Sequence, residues 1–207
     1  NASWPFPLRI TFKGYHSLFS SSLYTEALFN SFILSICSGL IAGTLAVMAG
    51  IAVLKYRSKW RILIAVSMLS PIFVAQSLIG IANMVFNRVA FGITGNFISA
   101  VLANAVWTMS FAFLVVLSQL VRYNWRLDDA AMVFGASPWR CFREITLPIC
   151  GPAIGGAYVT AFILTFVSTH ISFYTLGATP LFSIALLYGG VDPEKMSLAS
   201  LANLSLI

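Results

Sequence analysis

The stretch that decides the fold is residues 128–148, which read DDAAMVFGASPWRCFREITLP. It is too long for a simple turn, and it contains two short helical patterns. The two aspartates at its start suit the first turn of a helix, where carboxylates meet unpaired amides and the positive end of the helix dipole. Gly135 then predicts the end of that helix, because glycine accepts the positive φ of a helix C-terminus. Ser137 and Pro138 predict the cap and first turn of a second helix.

The second predicted helix carries apolar side chains on one side and leads into a hydrophobic run. Trp139, Phe142 and Ile145 recur at helical spacing. Leu147 and Pro148 then open the next long apolar stretch. We therefore expect a hairpin of two short helices, bent at the glycine, between two membrane spans.

Most of the chain is too hydrophobic for a water-soluble domain. Of its 207 residues, 59% are hydrophobic and 9% are charged, and the mean hydropathy is +0.90. A span needs roughly 20 apolar residues, and four runs without Asp, Glu, Lys or Arg meet that length. We expect an all-α membrane protein, a polytopic helical bundle forming a single domain over residues 1–207. The expected spans are residues 28–53, 62–86, 97–121 and 149–172, the start of another at 197–207, and one before residue 1.

The positive charges indicate the orientation of the chain in the membrane. The net charge is +6, but most basic residues fall in two connecting segments that alternating spans place on one side. Under the positive-inside rule that side is the cytoplasm. The charge is thus a topology signal, and we expect a lipid bilayer, not nucleic acid, as the partner. The residues concerned are Lys55, Arg57, Lys59, Arg61, Arg122, Arg126, Arg140 and Arg143.

Proline and glycine positions predict how the spans bend and pack. Pro71 removes a backbone hydrogen bond from the second predicted span and predicts a kink. Glycines let helices approach closely in lipid, and packing inside one subunit is favoured here over a subunit interface. These glycines are Gly39, Gly43, Gly50, Gly151 and Gly155. The three cysteines lack metal-ligand spacing, so we expect packing residues and no metal site at Cys37, Cys141 and Cys150.

The segment from 128 to 148 resembles the cytoplasmic signature of the inner-membrane permeases of ABC importers. That signature reads Glu-Ala-Ala, three residues, Gly, nine residues, Ile, one residue, Leu-Pro. This chain departs from it once, with Asp in place of Glu. The Leu18-Phe19, Asn30-Ser31 and Asp192-Pro193-Glu194 stretches further resemble the spermidine/putrescine-type branch of the family. The matching positions are Asp129, Ala130, Ala131, Gly135, Ile145, Leu147 and Pro148.

The resemblance implies a permease that docks to a separate ATPase through a cytoplasmic coupling segment, residues 122–148. It implies ABC ATPase subunits that hold ATP and Mg, a second permease, homologous or identical, and an extracytoplasmic solute-binding protein in the bacterial inner membrane system. This chain contains no phosphate-binding loop, so we expect no cofactor and no catalytic residue in it. The implied ATPase-coupling residues are Asp129, Ala130, Ala131, Gly135, Ala136, Ser137, Ile145, Leu147 and Pro148.

Polar residues within the predicted spans are candidates for the translocation path. Gln76 and Asn83 share a helix face and either line a polar path or bond a neighbouring helix. Thr165, Ser168 and His170 lie near the outer end of the fourth predicted span. This stretch contains no carboxylate to compensate a buried polycation, so we expect a zwitterionic or anionic organic solute.

Three other functional classes fit the sequence less well. A secondary transporter normally places ionisable residues inside its spans, and here His170 is the one found there. An intramembrane protease needs aspartates or a Ser/His arrangement at depth, whereas every Asp lies in a connecting segment. A static membrane scaffold is the third alternative, and association with an ATPase distinguishes it from an importer.

Overall fold

The computed structural model describes residues 22–55, 59–92, 95–168, 170–176 and 181–189, and these are helical with short connections. The stretches 18–19, 192–194 and 197–207, used in the sequence analysis, lie outside the described residues. The all-α expectation is confirmed. The helices are α1 Ser22–Lys55, α2 Arg61–Leu69, a 3₁₀ turn Ser70–Phe73, α3 Gln76–Phe91, α4 Phe97–Leu120, α5 Arg126–Val133, α6 Pro138–Cys141, a π-helical turn Phe142–Thr146, α7 Leu147–Val167, α8 His170–Leu176 and α9 Phe182–Gly189.

Three of the described helices are long and apolar enough to cross a membrane. They cover Tyr24–Lys55, Phe97–Leu120 and Pro138–Val167. A fourth crossing is possible if α2 and α3, which meet at a bend of 102°, count as one span. The first predicted span therefore falls within α1, and the third matches α4 except for its last residue, Val121.

The second predicted span, residues 62–86, is broken in the structure. Pro71 has no N–H to donate, and its ring crowds the preceding turn. The chain accommodates it in the 3₁₀ turn, after which Val74 and Ala75 are extended, with ψ of 129° and 137°. The effect near Pro71 is therefore a bend of 102° between two helices, larger than the kink that the sequence predicts.

The fourth predicted span also differs from one continuous helix. It was expected over residues 149–172, but α7 ends at Val167 and Ser168 is extended, with ψ of 107°. His170 then begins a separate helix. At its other end α7 continues into α6 through the π-helical turn, so the second short helix of the hairpin is joined to the span without a break.

The chain divides into two compact units. One is Ile33–Ala178, and the other is formed by Asn1–Phe32 and Thr179–Ile207. In the first unit α4 is central and packs against α2, α3, α7 and α8. Its core is built largely from alanines and other small side chains, among which Phe113 is fully buried. In the other unit, Ser31 accepts a hydrogen bond of 2.9 Å from the backbone N–H of Phe182.

The glycines divide into two groups. A Cβ at Gly43 would lie 2.3 Å from the Tyr158 ring, and one at Gly39 would lie 3.3 Å from the backbone nitrogen of Phe162. These positions bring α1 against α7, as expected for packing inside one subunit. Gly151 and Gly155 differ, because a Cβ at either would meet nothing within 4 Å. At these two positions α7 therefore leaves room for a side chain, as far as the described residues are concerned.

Candidate coupling segment and solute path

The coupling segment begins with α5, whose first turn carries the two predicted acidic residues, Asp128 and Asp129. The helix ends in a Schellman motif. The N–H of Gly135 donates to the carbonyl of Met132 at 3.0 Å, and the N–H of Ala136 donates to that of Ala131 at 3.1 Å. Gly135 has a φ of +88°, which makes it the bend that the sequence predicts.

The second short helix starts at the predicted cap. The Ser137 hydroxyl accepts a hydrogen bond from the backbone N–H of Arg140 at 3.3 Å, and Pro138 occupies the first turn. The side chain of Arg140 also pairs with Glu144 at 2.9 Å, with both side chains largely exposed. Trp139 and Phe142 lie side by side with ring centroids 5.7 Å apart, as the helical spacing predicts.

The bend presents a group of large apolar side chains to the surroundings. The exposed fractions are 85% for Val133, 91% for Phe134 and 69% for Trp139. We call these three residues the coupling face. Exposed apolar side chains beside charged and polar residues are typical of a protein interaction surface. Its neighbours Asp129 and Ala130 are exposed as well.

The remaining predicted coupling residues lie around this face with differing burial. Ala131, Ala136 and Ile145 are half-buried. Exposed positions are Gly135, Ser137, Leu147 and Pro148. The structure therefore brings the first part of the signature together at the bend, whereas Leu147 and Pro148 mark the beginning of α7.

A buried carboxylate, which the sequence analysis treated only as a helix-start residue, lies behind the coupling face. Asp128 is fully buried, and its Oδ2 accepts a hydrogen bond from the Lys55 ammonium at 2.6 Å. Its Oδ1 accepts one from the Tyr123 hydroxyl at 2.7 Å. The Thr146 hydroxyl lies 3.2 and 3.3 Å from the two oxygens. We call these four residues the Asp128 cluster.

Aromatic and sulfur groups surround the Asp128 cluster. The Lys55 ammonium lies 5.5 Å from the centroid of the Trp125 ring, within cation–π range. The Trp125 ring in turn meets the Tyr123 ring edge to face, with centroids 4.9 Å apart. The Cys141 thiol points at the backbone oxygen of Asp128 at 3.8 Å, so this cysteine is a packing residue.

The cluster shifts the ionisation of its own members. Burial alone would raise the pKa of Asp128, but the hydrogen bonds and charge of Lys55, with the Tyr123 and Thr146 hydroxyls, lower it below the usual value. Burial, followed by the hydrogen bond to Asp128, raises the pKa of Tyr123 to about 12. Asp128 is thus held as a carboxylate and Tyr123 as a neutral donor.

On the predicted solute path, Asn83 engages a neighbouring helix. Its Oδ1 accepts hydrogen bonds from Asn87, at 2.7 Å, and from the hydroxyl of Ser99 on α4. Gln76 is the first residue of α3 and is half-buried. Gly80 lies between them on the same helix face, and a Cβ there would approach the backbone of α8 to 3.2 Å, at Ile171. This face is therefore a packing surface against α4 and α8.

The other path candidates lie at the break between α7 and α8. Thr165 and Ser168 are buried, and their hydroxyls have no hydrogen-bond partner among the residues that the structure describes. His170 is exposed at the start of α8. Nearby in sequence, Ser172 lies 3.3 Å from the amide nitrogen of the fully buried Asn104, whose Oδ1 also lacks a partner. Burying a hydroxyl or amide oxygen without a hydrogen-bond partner is unfavourable. This break therefore contains hydrogen-bonding groups that are left for a partner outside the described fold.

A cleft of about 540 Å³ opens between α3 and α4. Asn83 is its polar residue, and the other lining side chains are apolar. Nothing in the sequence predicts this cleft, because it depends on the bend after Pro71 that brings α3 beside α4.

Solved structures place this fold among known proteins. A chain of a bacterial ABC transporter involved in the import of the acidic polysaccharide alginate matches with a TM-score of 0.70 at 18% identity, covering 95% of this chain and 78% of that one. Bacterial alginate ABC transporter in complex with an alginate pentasaccharide-bound periplasmic protein matches with a TM-score of 0.66, also at 18% identity, over 94% and 77%. The class is therefore a helical membrane protein with the ABC importer permease fold, as predicted.

Sequence relatives point to the same class of protein. The trehalose transport system permease protein SugB of Mycobacterium tuberculosis is 30% identical over 164 residues, which are 78% of this chain and 57% of the relative. The spermidine/putrescine transport system permease protein PotC of Escherichia coli K12 is 25% identical over 195 residues, 92% of this chain and 74% of the relative. This chain thus spans between just over half and three quarters of their lengths. No family model matches the sequence. The sequence relatives are thus permeases of ABC transporters, the class that the signature indicates.

Proposed function

We propose that this chain is a permease subunit of an ATP-driven importer in the bacterial inner membrane. In this proposal its helices form the path for a small organic solute, and the coupling segment transmits the state of a separate ATPase. The observation that carries the proposal is the coupling face. Three large apolar side chains, Val133, Phe134 and Trp139, are exposed around the bend at Gly135, in a segment that the positive-inside rule assigns to the cytoplasm.

The proposal assigns the chemistry to partners. ATP and Mg would be held by two ATPase subunits, and a second permease, identical or homologous, would complete the path. A solute-binding protein outside the membrane would deliver the solute. This chain would then act by movement between inward-facing and outward-facing states, without catalytic residues of its own.

The solute we propose is zwitterionic or anionic and organic. The predicted fourth span contains no acidic residue, and the polar groups at the break after α7 are the neutral hydroxyls of Thr165 and Ser168. A polycation would need compensating charge at depth. The named relatives are trehalose and spermidine/putrescine permeases, so family membership alone does not select a solute. Ligand identification on the cognate binding protein tests this, and tight binding of spermidine or putrescine would refute it.

Capture of the ATPase tests the docking role. The complex is isolated through a tag on the full-length chain, and the ATPase recovered with it is quantified. Trp139→Ser removes a large part of the coupling face, and hot-spot tryptophans typically contribute 2 kcal/mol or more to an interface, which corresponds to a loss of about 30-fold in affinity.

Trp60→Ser is the matched control. Trp60 is also an exposed tryptophan, with 58% of its surface accessible, and the predicted topology puts it on the same side of the membrane but outside the coupling segment. We expect capture to fall for Trp139→Ser and to be unchanged for Trp60→Ser, at equal membrane levels. Equal capture by both variants, or no ATPase with the wild-type chain, would count against the proposal.

A further inference from the structure

The Asp128 cluster connects parts of the chain that are far apart in sequence. Lys55 is the last residue of α1, and Asp128, 73 residues later, lies in the first turn of α5. Thr146 is the last residue of the π-helical turn that leads into α7. One carboxylate therefore joins the ends of two membrane-length helices to the coupling segment.

We propose that Asp128 is a positioning residue that locks the coupling segment to α1 and α7, so that a displacement of the coupling face moves the spans. This inference rests on the proposed importer function and names the connection through which that function would act. Arg126–Val133 otherwise packs against α6 and the π-helical turn. The ion pair with Lys55 is what ties this short helix to α1.

The bonds within the cluster are strong enough for this role. Asp128 is fully buried, and the Lys55 side chain is 21% exposed. Water therefore screens the pair poorly, and a charged hydrogen bond of 2.6 Å is of the strong kind. Tyr123 and Thr146 supply the remaining donors, so the carboxylate is fully satisfied only when all the parts are together.

The π-helical turn supplies the joint that such a lock would control. A π-helical turn has a looser i→i+5 hydrogen-bond register, and such turns occur frequently at functional sites. Here it connects α6, which carries Trp139 of the coupling face, with α7, and its last residue donates to Asp128. A rotation at this turn would pull on the carboxylate and, through it, on Lys55.

The test uses the whole importer, with the full-length chain, its ATPase and its second permease, in liposomes of phosphatidylethanolamine and phosphatidylglycerol. ATP hydrolysis is measured with and without the cognate binding protein, as isolated from cell envelopes. Lys55→Gln and Asp128→Asn each break the pair. Because every 1.4 kcal/mol is tenfold and a broken buried pair costs more than that, we expect at least a tenfold loss of the rate stimulated by the binding protein. Lys59→Gln removes an exposed charge from the same connection and should leave stimulation intact.

A double variant separates positioning from stability. Lys55→Met with Asp128→Leu removes both charges and leaves neither unpaired, so thermal stability should rise well above that of either single variant, although the Tyr123 and Thr146 hydroxyls lose their acceptor. If the pair positions the coupling segment, ATPase capture and stability recover while stimulation stays low. Recovery of stimulation together with stability would overturn the proposal, because only packing would then matter. A wild-type complex that captures no ATPase, or shows no stimulation, would instead refute the importer function and this inference with it.

Discussion

Gly135 allows the coupling geometry to be perturbed without touching the spans. Its φ of +88° lies in the left-handed region, and a Cβ there would meet nothing within 4 Å. A substitution therefore adds backbone strain alone, without a steric clash against a neighbour. An L-residue in this region costs roughly 1 to 2 kcal/mol, β-branched residues cost more, and Asn costs less because its side chain tolerates the conformation.

These costs predict a graded series of variants. Gly135→Asn should weaken ATPase capture least, Gly135→Ala should lower it by about tenfold for 1.4 kcal/mol of strain, and Gly135→Val should lower it most, by roughly 100-fold near 3 kcal/mol. Capture is measured by titrating purified ATPase against the full-length chain in nanodiscs. Membrane level and thermal stability of the spans serve as controls, and both should be unchanged.

The order of the series is what tests the reasoning. If Asn and Val weakened capture equally, the positive φ would not be the cause. If the Gly135→Val chain bound the ATPase as tightly as the wild type, the Schellman bend would have no part in docking. Loss of the spans' stability would show instead that the bend is coupled to folding of the bundle.

Three further predictions follow from contacts elsewhere in the chain. Gly43→Val should lower the melting temperature in detergent, since its Cβ would lie 2.3 Å from the Tyr158 ring and overpacking costs roughly 1 to 3 kcal/mol; Gly155→Ala, with no neighbour within 4 Å, is the control and should not. Stability from the Asp128 cluster should be lost at acid pH, as pH falls through the lowered pKa of Asp128. It should also be lost at alkaline pH, between 10.0 and the raised pKa of Tyr123 at about 12. The melting temperature should be constant between these limits, and Tyr123→Phe should abolish the alkaline decline. Thr165→Val removes a buried hydroxyl without a partner, so stability should hold or rise by about 1 kcal/mol, while the KM of uptake should rise if this hydroxyl contacts solute; an unchanged KM would remove Thr165 from the path.

Local chemistry accounts for what the sequence predicts well. The cap at Ser137, the stop at Gly135 and the acidic first turn of α5 each depend on residues within a few positions of one another. The length of the apolar runs likewise predicts where α1 and α4 lie in the sequence, because a helix needs about 20 apolar residues to cross the bilayer. These features could be predicted from a short stretch of sequence without knowing which other parts of the chain it contacts.

The two broken spans show where that approach fails. Pro71 and Ser168 lie inside apolar runs that are long enough to cross a membrane, and hydropathy does not distinguish a continuous helix from a broken one. The angle between the two helices at a break depends on the surface against which the second helix packs. Gly80 permits α3 to lie against α8, and this close approach is a property of the packed bundle that no periodicity in α3 predicts.

The Asp128 cluster is the feature that the sequence predicted least well. Two adjacent aspartates, Asp128 and Asp129, have different roles, and the sequence pattern does not distinguish them. Both aspartates fit the start of α5, and the signature directs attention to Asp129, which is exposed. Burial of its neighbour follows from helix geometry, since successive residues point about 100° apart and only one can face the bundle. The sequence does contain one indication of the pair. Lys55 is a lysine at the end of an apolar helix, and the predicted topology puts two adjacent aspartates on the same side of the membrane, of which the signature uses one. Pairing the two requires knowing that the end of α1 meets the first turn of α5, a contact across 73 residues. The position that the signature marks is therefore free to contact a partner because the position before it is fixed to the bundle.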